Sequence, residues 1–199
     1  MSHRVAIEEY VRRVALPVEK YGHQPRLYAL TLAIGEGLAY DDDIVHAAVW
    51  LHDLGVFVGQ RPEDPEQLAR WDNVAYAMEK APEALAAAGF PREKIDAVVE
   101  AIRTHQPAAR PATMEGTIVR DADILEQLGA IGILRQACKV GRDTRFTTFT
   151  PAVNSLRKAL ETLPALIALD STRRLAQPRI SALRTFLEAV DRESGSALY

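Results

Sequence analysis

The sequence predicts an all-α fold organised as a single domain over residues 1–199. Apolar residues recur at three- and four-residue steps in nearly every segment, which is the period of an amphipathic helix. No convincing run of alternating Val, Ile or aromatic residues is present, so strands are not expected. Glycine and proline fall between the periodic segments, and no repeat, low-complexity tract or linker divides the chain.

In the first part of the chain, residues 5–21 form an apolar-faced helical segment, and residues 26–38 form a second one after a proline. The run of acidic residues at 41–43 is typical of an N-cap and an acidic first turn, so we expect a helix from Asp41 through Leu54. Residues 55–66 contain two glycines and two prolines and should form a loop.

In the second part, residues 67–89 predict one long amphipathic helix that Pro82 breaks or kinks. A helix over 92–105 and a loop over 106–113 follow. The remainder, 114–191, is again helical, with a polar interruption that reads GRDTRFTTFTP.

The composition, with 48% hydrophobic and 26% charged residues, is that of an ordinary soluble globular protein. With 24 basic against 27 acidic side chains, nothing predicts a nucleic-acid partner. No apolar run reaches the roughly 18 residues of a membrane span, and the N-terminus lacks a signal peptide, so we expect a cytoplasmic protein. The single cysteine, Cys138, lies in an apolar stretch and is expected to be a buried, inert thiol.

Several ionisable residues fall on apolar helical faces, where a bare charge would cost several kcal/mol to bury. They are Asp121 in line with Ile118, Leu125 and Leu128; His105 with Val98 and Ile102; His23 with Leu27 and Ile34; and His52 beneath Val45 and Ala48. Asp53 is turned by roughly 100° from His52 on the same helix. Each residue alone has an ordinary explanation, since a histidine can be hydrogen-bonded in the core and an aspartate can cap a helix or pair with an arginine.

The joint occurrence is what indicates a site. Two histidines and two aspartates, His23, His52, Asp53 and Asp121, make a mixed nitrogen and oxygen ligand set for a transition-metal dication. His46 is excluded from this set, because it lies about 10 Å of helix rise from Asp53; we expect it to be a packing or surface residue. Asp123 projects away from the apolar stripe and should be more exposed.

These residues resemble the H…HD…D metal-binding signature of the HD-domain hydrolase superfamily. HQPRL at 23–27 is similar to its first-histidine segment, and AAVWLHDLG at 47–55 to the helix that carries the HD pair. IRTHQP, followed by PATMEGTIVRDADILEQLGAIGI, closely resembles a subgroup of small bacterial HD phosphohydrolases. The likeness covers roughly residues 5–190.

The resemblance implies a metal-dependent phosphohydrolase that acts on a small phosphate ester, with nucleotides among the candidates. It places His23, His52, Asp53 and Asp121 as ligands of one divalent metal, with Mn, Co, Ni, Fe, Zn and Mg not distinguishable. Asp53 would also orient the attacking water, and His105 would hold the phosphate or protonate the leaving group. Arg26 would brace a phosphate oxygen or pair with a carboxylate. The resemblance does not determine the oligomeric state, and a homodimer is one of the options.

This sequence departs from the superfamily pattern at two places, which limits the functional features that the resemblance implies. Members with two metals have an additional histidine after the HD pair, whereas here Asp72 or Asn73 occupies that neighbourhood. A mononuclear site is therefore favoured over a di-iron oxygenase. Some nucleotidases carry a carboxylate shortly after HD, where this chain has Val56 and Phe57. The sequence therefore does not identify the general acid. This second departure motivates the alternative of a non-catalytic HD module that senses a metal or nucleotide.

Overall fold

The computed structural model describes residues 2–141, 146–195 and 198. Within them, regular structure is helical apart from one isolated bridge between Val58 and Arg61, which confirms the all-α prediction. The α-helices of this part of the chain are α1 (His3–Val14), α2 (His23–Gly35), α3 (Asp42–Leu51), α4 (Pro65–Ala69), α5 (Asn73–Ala87), α6 (Ile95–Arg103), α7 (Met114–Glu126), α8 (Gly129–Ala137), α9 (Phe149–Leu166) and α10 (Asp170–Ser194).

The chain divides into two compact units, Met1–Ala122 and Asp123–Tyr199. In the first, α3 is the central helix and packs against α1, α2 and α6, while α5 packs against α6. In the second, α8, α9 and α10 pack against one another. The assignment of one domain to residues 1–199 stays a prediction. In the described residues, no helix is both long and apolar enough to cross a membrane.

Helix α3 forms where the sequence predicts it, and its composition explains its central place. The Asp41 side chain accepts a hydrogen bond from the Asp43 backbone N–H and caps the helix. Every residue from Ile44 to Leu51 is buried. Each fully buried Val or Leu stabilises the fold by about 1.5–3 kcal/mol. The helix that leads to His52 is therefore held rigidly on several sides.

A network of charges anchors the first turn of α3. Arg4 donates to Asp43 at 2.7 Å and to Asp42 at 2.8 Å, and it also donates to the hydroxyl of Tyr28 at 2.7 Å. The hydrogen bonds from Arg4 hold the pKa of Asp43 at about 2. Lys94 pairs with Asp41 at 2.7 Å. The ion pairs of Arg4 connect α1 to α3, and its bond to Tyr28 connects α1 to α2.

Several element boundaries differ from the sequence prediction. The first helix ends at Val14, and a 3₁₀ turn covers Val18–Gly22 in place of its predicted last turns. The predicted helix over 67–89 is interrupted after the short α4, because the Asp72 carboxylate accepts from the N–H groups of Val74 and Ala75 and starts a new helix there.

Four further predictions have separate outcomes. Pro82 lies inside α5, which continues past it to Ala87. The 55–66 loop contains a 3₁₀ turn, Leu54–Val56, and the first residues of α4. The prediction that Cys138 is buried is wrong: it is exposed, because it is the C-cap of α8 and lies beyond the last packed turn. The interruption at GRDTRFTTFTP lies partly outside the described residues, which omit 142–145.

Candidate metal centre

The His52–Asp53 pair lies at the carboxyl end of α3. His52 is the C-cap residue, and Asp53 leads into the 3₁₀ turn that follows, where its side chain makes no capping hydrogen bond. Gly55 is required just beyond, since a Cβ there would lie 2.5 Å from the backbone oxygen of Asn73. The close approach of α5 therefore determines how the chain turns after the pair.

His23 comes from a different helix. It is the first residue of α2, which begins three residues earlier than the sequence predicts because Pro25 is tolerated within the first turn. The ring is 6% exposed. Its Nε2 lies 3.3 Å from Nε2 of His52 and 3.6 Å from Oδ2 of Asp53.

The three side chains form one group whose ligand atoms all lie within 4.8 Å of one another. His52 Nε2 is 3.6 Å from Oδ1 of Asp53, the other oxygen of the carboxylate that His23 contacts. Ligands bound at about 2.1 Å are separated by about 3.0 Å in an octahedron and about 3.4 Å in a tetrahedron. The 3.3 Å between the two imidazole nitrogens is close to these separations, and each nitrogen lies 3.6 Å from one of the two Asp53 oxygens, so the donor set fits a dication with small side-chain adjustments.

The orientation of His52 also fits ligation. Its Nδ1 lies 2.8 Å from the carbonyl oxygen of Val49. Because a carbonyl only accepts, Nδ1 must carry the proton, and the neutral ring keeps a lone pair on Nε2. That is the nitrogen facing His23 and Asp53. The imidazole is 1% exposed, whereas the carboxylate of Asp53 is 20% exposed and forms the solvent side of the group.

His105 lies beside this group. Its ring contacts that of His52 edge-on, with centroids 4.9 Å apart and planes at 63°. Nδ1 is 2.6 Å from the carbonyl oxygen of Ile102 and donates to it, which fixes the tautomer of the neutral ring with its lone pair on Nε2. The residue is 5% exposed and lies two residues after Arg103, the last residue of α6, whereas the sequence predicts a helix through 105.

Asp121 is fully buried on α7, which confirms its predicted inward position. Its carboxylate is not in the group of three, and its role as a fourth ligand stays a prediction. Oδ1 lies 3.5 Å from Nη1 of Arg120. Arg120 also donates from Nε and Nη2 to the carbonyl oxygen of Pro107, at 3.1 and 2.9 Å. Asp121 is thus connected through Arg120 to the loop that follows His105.

The remaining predicted residues lie at the periphery or elsewhere. Arg26 is exposed and lies one turn after His23. Its guanidinium passes close to Gly22, where a Cβ, if one were present, would lie 3.0 Å from Nη1. Asp123 is half-buried. His46 is 1% exposed and pairs with Glu8 at 2.9 Å, which confirms that it is a packing residue.

The sequence profile of the HD domain family matches residues 21–128, which is more than half of the chain and includes every predicted site residue. The chain belongs to the HD domain family. None of the curated proteins matches it.

Among solved structures, Bacillus subtilis YpgQ superposes with a TM-score of 0.76 at 24% identity, covering 98% of this chain and 96% of that one. YpgQ has also been solved in complex with ADP, with a TM-score of 0.74. An HD-superfamily hydrolase from Bacillus thuringiensis gives a TM-score of 0.69 at 21% identity, covering 98% of this chain and 97% of that one. At these identities the likeness shows that the fold is shared.

The departures from the HD pattern also have structural consequences. Asp72, in the neighbourhood where a second metal would require a histidine, is engaged as the cap of α5. Among the described residues, His23, His52 and Asp53 are the one group of three potential ligands. After the HD pair, Val56 is half-buried and Phe57 is fully buried, so this turn contributes apolar packing.

Sequence reasoning missed three residues that position the site. Arg120 is the buried cation beside Asp121, and an arginine inside the apolar run TIVRDADIL was a usable signal for it. Lys20 donates to the carbonyl oxygen of Val56 at 2.8 Å, and Trp71 donates from Nε1 to that of Gly55 at 2.7 Å. These last two contacts join distant segments to backbone atoms, for which no sequence pattern exists.

Proposed function

We propose that this protein is a divalent-metal-dependent phosphohydrolase that acts on a small phosphate ester, with nucleotides as the leading class. The observation that carries the proposal is the convergence of His23, His52 and Asp53, with ligand atoms mutually within 4.8 Å, in an HD-domain chain. The complex of YpgQ with ADP supports a nucleotide, since YpgQ shares the fold over nearly its whole length.

His23, His52, Asp53 and Asp121 would hold the metal. The two histidine nitrogens are 3.3 Å apart and each lies 3.6 Å from one oxygen of Asp53, and Asp121 adds a fully buried carboxylate from α7. A second carboxylate would help neutralise a dication in this buried place. When bound, a divalent metal supplies a water of lowered pKa and polarises a phosphoryl oxygen.

The chain's own residues would orient the reactants and move protons. Asp53, the most exposed member of the group, accepts a proton from the attacking water through the carboxylate oxygen that does not ligate. Arg26, one turn from His23 and exposed, braces a phosphate oxygen.

His105 is our candidate general acid. With Nδ1 held on the carbonyl of Ile102, its protonated ring presents Nε2–H as the remaining donor. The absence of a carboxylate at Val56 and Phe57 leaves this role to His105. Burial beside His52 keeps the ring in one orientation, as proton transfer at a defined atom requires.

The decisive experiment joins elemental analysis to a panel of phosphate esters assayed with Mn²⁺, Co²⁺, Ni²⁺ and Mg²⁺. We expect about one metal per chain in the wild type, and loss of both metal and turnover in His52→Ala. His46→Gln is the matched control, because His46 is also 1% exposed and on α3 but contacts Glu8 instead of the group. Full turnover in a verified metal-free His52→Ala protein would refute the proposal.

A non-catalytic sensor is the alternative, favoured by the apolar residues Val56 and Phe57 after the HD pair. It predicts that a nucleotide binds in the presence of metal and is recovered intact. Saturable binding by calorimetry, with no phosphate released from any ester of the panel, would establish it over the hydrolase.

A further inference from the structure

An open surface cavity of about 490 Å³ lies between the start of α5 and the end of α6. We call it the Trp71 pocket. Its walls include Trp71, Asp72 and Met78 on one side and Arg103 and Gln106 on the other. The volume is within the range of pockets that enclose small organic ligands.

Both walls are attached to the candidate metal centre. The indole Nε1 of Trp71 donates to the carbonyl oxygen of Gly55 at 2.7 Å, and Gly55 follows Asp53 by two residues, a span of at most roughly 7 Å. On the other wall, Gln106 directly follows His105 in the chain. A molecule with its phosphate at the metal group could therefore place its organic part in the pocket.

The pocket presents two flat groups. The indole of Trp71 is held by its bond to Gly55 and packs against Tyr76, with ring centroids 5.2 Å apart. The guanidinium of Arg103 is held by two donations to Glu100, from Nε at 2.7 Å and Nη2 at 2.6 Å. Indole and guanidinium planes are the surfaces on which nucleic-acid bases stack in single-strand recognition.

The pocket is at the same time poorly suited to a phosphate. The first amides of α5, those of Val74 and Ala75, already donate to the Asp72 carboxylate at 3.0 and 2.9 Å. Asp72 adds a negative charge to the wall, and Arg103 is already paired with Glu100. An uncharged, planar ring is the ligand that these walls favour.

We infer that the Trp71 pocket binds the planar base of a nucleotide substrate while its phosphate lies at the group formed by His23, His52 and Asp53. This assignment rests on the proposed function for its phosphate site, and it makes Trp71 and Arg103 specificity-determining residues. They distinguish a nucleotide from a phosphate ester of similar charge that has no ring.

The test compares AMP with ribose 5-phosphate, which has the same phosphate and sugar and no base. Arg103→Ala should lower kcat/KM for AMP about tenfold, the effect of losing one stacking partner, with hydrolysis of ribose 5-phosphate unchanged. Trp71→Leu also loses the hydrogen bond to Gly55, so its readout is the ratio of kcat/KM for AMP to kcat/KM for ribose 5-phosphate, which should fall about tenfold. Trp71→Phe keeps a ring and should recover the preference for AMP. Arg92→Ala, an exposed arginine outside the pocket lining, is the matched control and should change neither substrate.

Binding is measured separately, so that it does not depend on turnover. Trp50→Phe leaves Trp71 as the single tryptophan of the sequence, which contains two. In this protein AMP should quench the indole fluorescence saturably, whereas ribose 5-phosphate should not, and Arg103→Ala should weaken the AMP affinity about tenfold.

The outcomes separate the two hypotheses. Equal losses for AMP and ribose 5-phosphate, or no loss for either, would overturn the assignment of the pocket while the hydrolase proposal stands. Saturable quenching by AMP in a protein that hydrolyses no ester would support the pocket and refute the hydrolase. Absence of quenching with AMP hydrolysis intact would refute the pocket.

Discussion

Arg120→Met should lower the free energy of unfolding of the metal-free protein by about 3 kcal/mol, the lower end of the range for breaking a buried ion pair. Arg120 is 7% exposed and joins two parts of the site: the carbonyl oxygen of Pro107, in the loop after His105, and the buried carboxylate of Asp121. Methionine retains most of the apolar stem and removes the guanidinium, so the change isolates the polar contacts.

The magnitude follows from those contacts. Two N–H groups donate to one carbonyl, at 3.1 and 2.9 Å, and hydrogen bonds from a charged donor contribute about 1.5–3 kcal/mol. The ion pair with Asp121 is longer, at 3.5 Å, but the carboxylate is fully buried and loses a nearby cation. The new apolar contacts of methionine offset about 1 kcal/mol of these losses.

Urea unfolding in the presence of a chelator measures this prediction, with an expected shift of the midpoint by roughly 1 to 2 M. Arg103→Met is the control, because Arg103 belongs to the same compact unit, Met1–Ala122, and forms an exposed ion pair with Glu100, three residues before it. This pair should contribute less than about 1 kcal/mol. If Arg120→Met changes stability no more than Arg103→Met does, the interpretation of Arg120 as a buried anchor is wrong.

Three further predictions concern stability. Gly55→Ala should destabilise the fold by about 1–3 kcal/mol in thermal unfolding, since the new Cβ would lie 2.5 Å from the oxygen of Asn73. Arg4 holds the pKa of Asp43 at about 2, so Asp43 stabilises the folded state above pH ~4 and loses this effect as the pH falls through 2; Asp43→Asn should cost about 1 kcal/mol at pH 7 and much less at pH 2. Burial lowers the pKa of His46, so stability should decrease as the pH falls below about 6.5, and His46→Gln should reduce this slope between pH 5 and 7.

The parts of the fold that depend on local signals were predictable from the sequence. The start of α3 is an example, since Asp41 caps the helix and acidic residues occupy its first turn. The break before α5 was missed because Asp72 lies within an otherwise continuous amphipathic pattern, and only its hydrogen bonds identify it as a cap. Cys138 was misplaced because an apolar neighbourhood does not tell which residue lies beyond the packed turns.

The sequence could predict the candidate site only as far as the helical period identifies which residues are buried. His23, His52, His105 and Asp121 were chosen for lying on apolar faces, and the structure shows all four buried, between 0% and 6% exposed. The convergence of three of the predicted ligands follows from the packing of α2 against α3 and needed the structure. The contact of Trp71 with Gly55 joins residues 16 apart through a backbone oxygen, so composition and periodicity carry no information about it.

The rings of His52 and His105 are oriented by the same local interaction. His52 and His105 lie at the carboxyl ends of α3 and α6, and each donates from Nδ1 to the carbonyl oxygen three residues before it, Val49 or Ile102. The last carbonyls of a helix lack partners within the helix, so a histidine placed there finds an acceptor ready. That bond fixes the tautomer and leaves Nε2 for a metal or a proton. A buried helix that ends on histidine is therefore a way to orient an imidazole, and the partial negative charge of the helix terminus also favours a bound cation or an imidazolium.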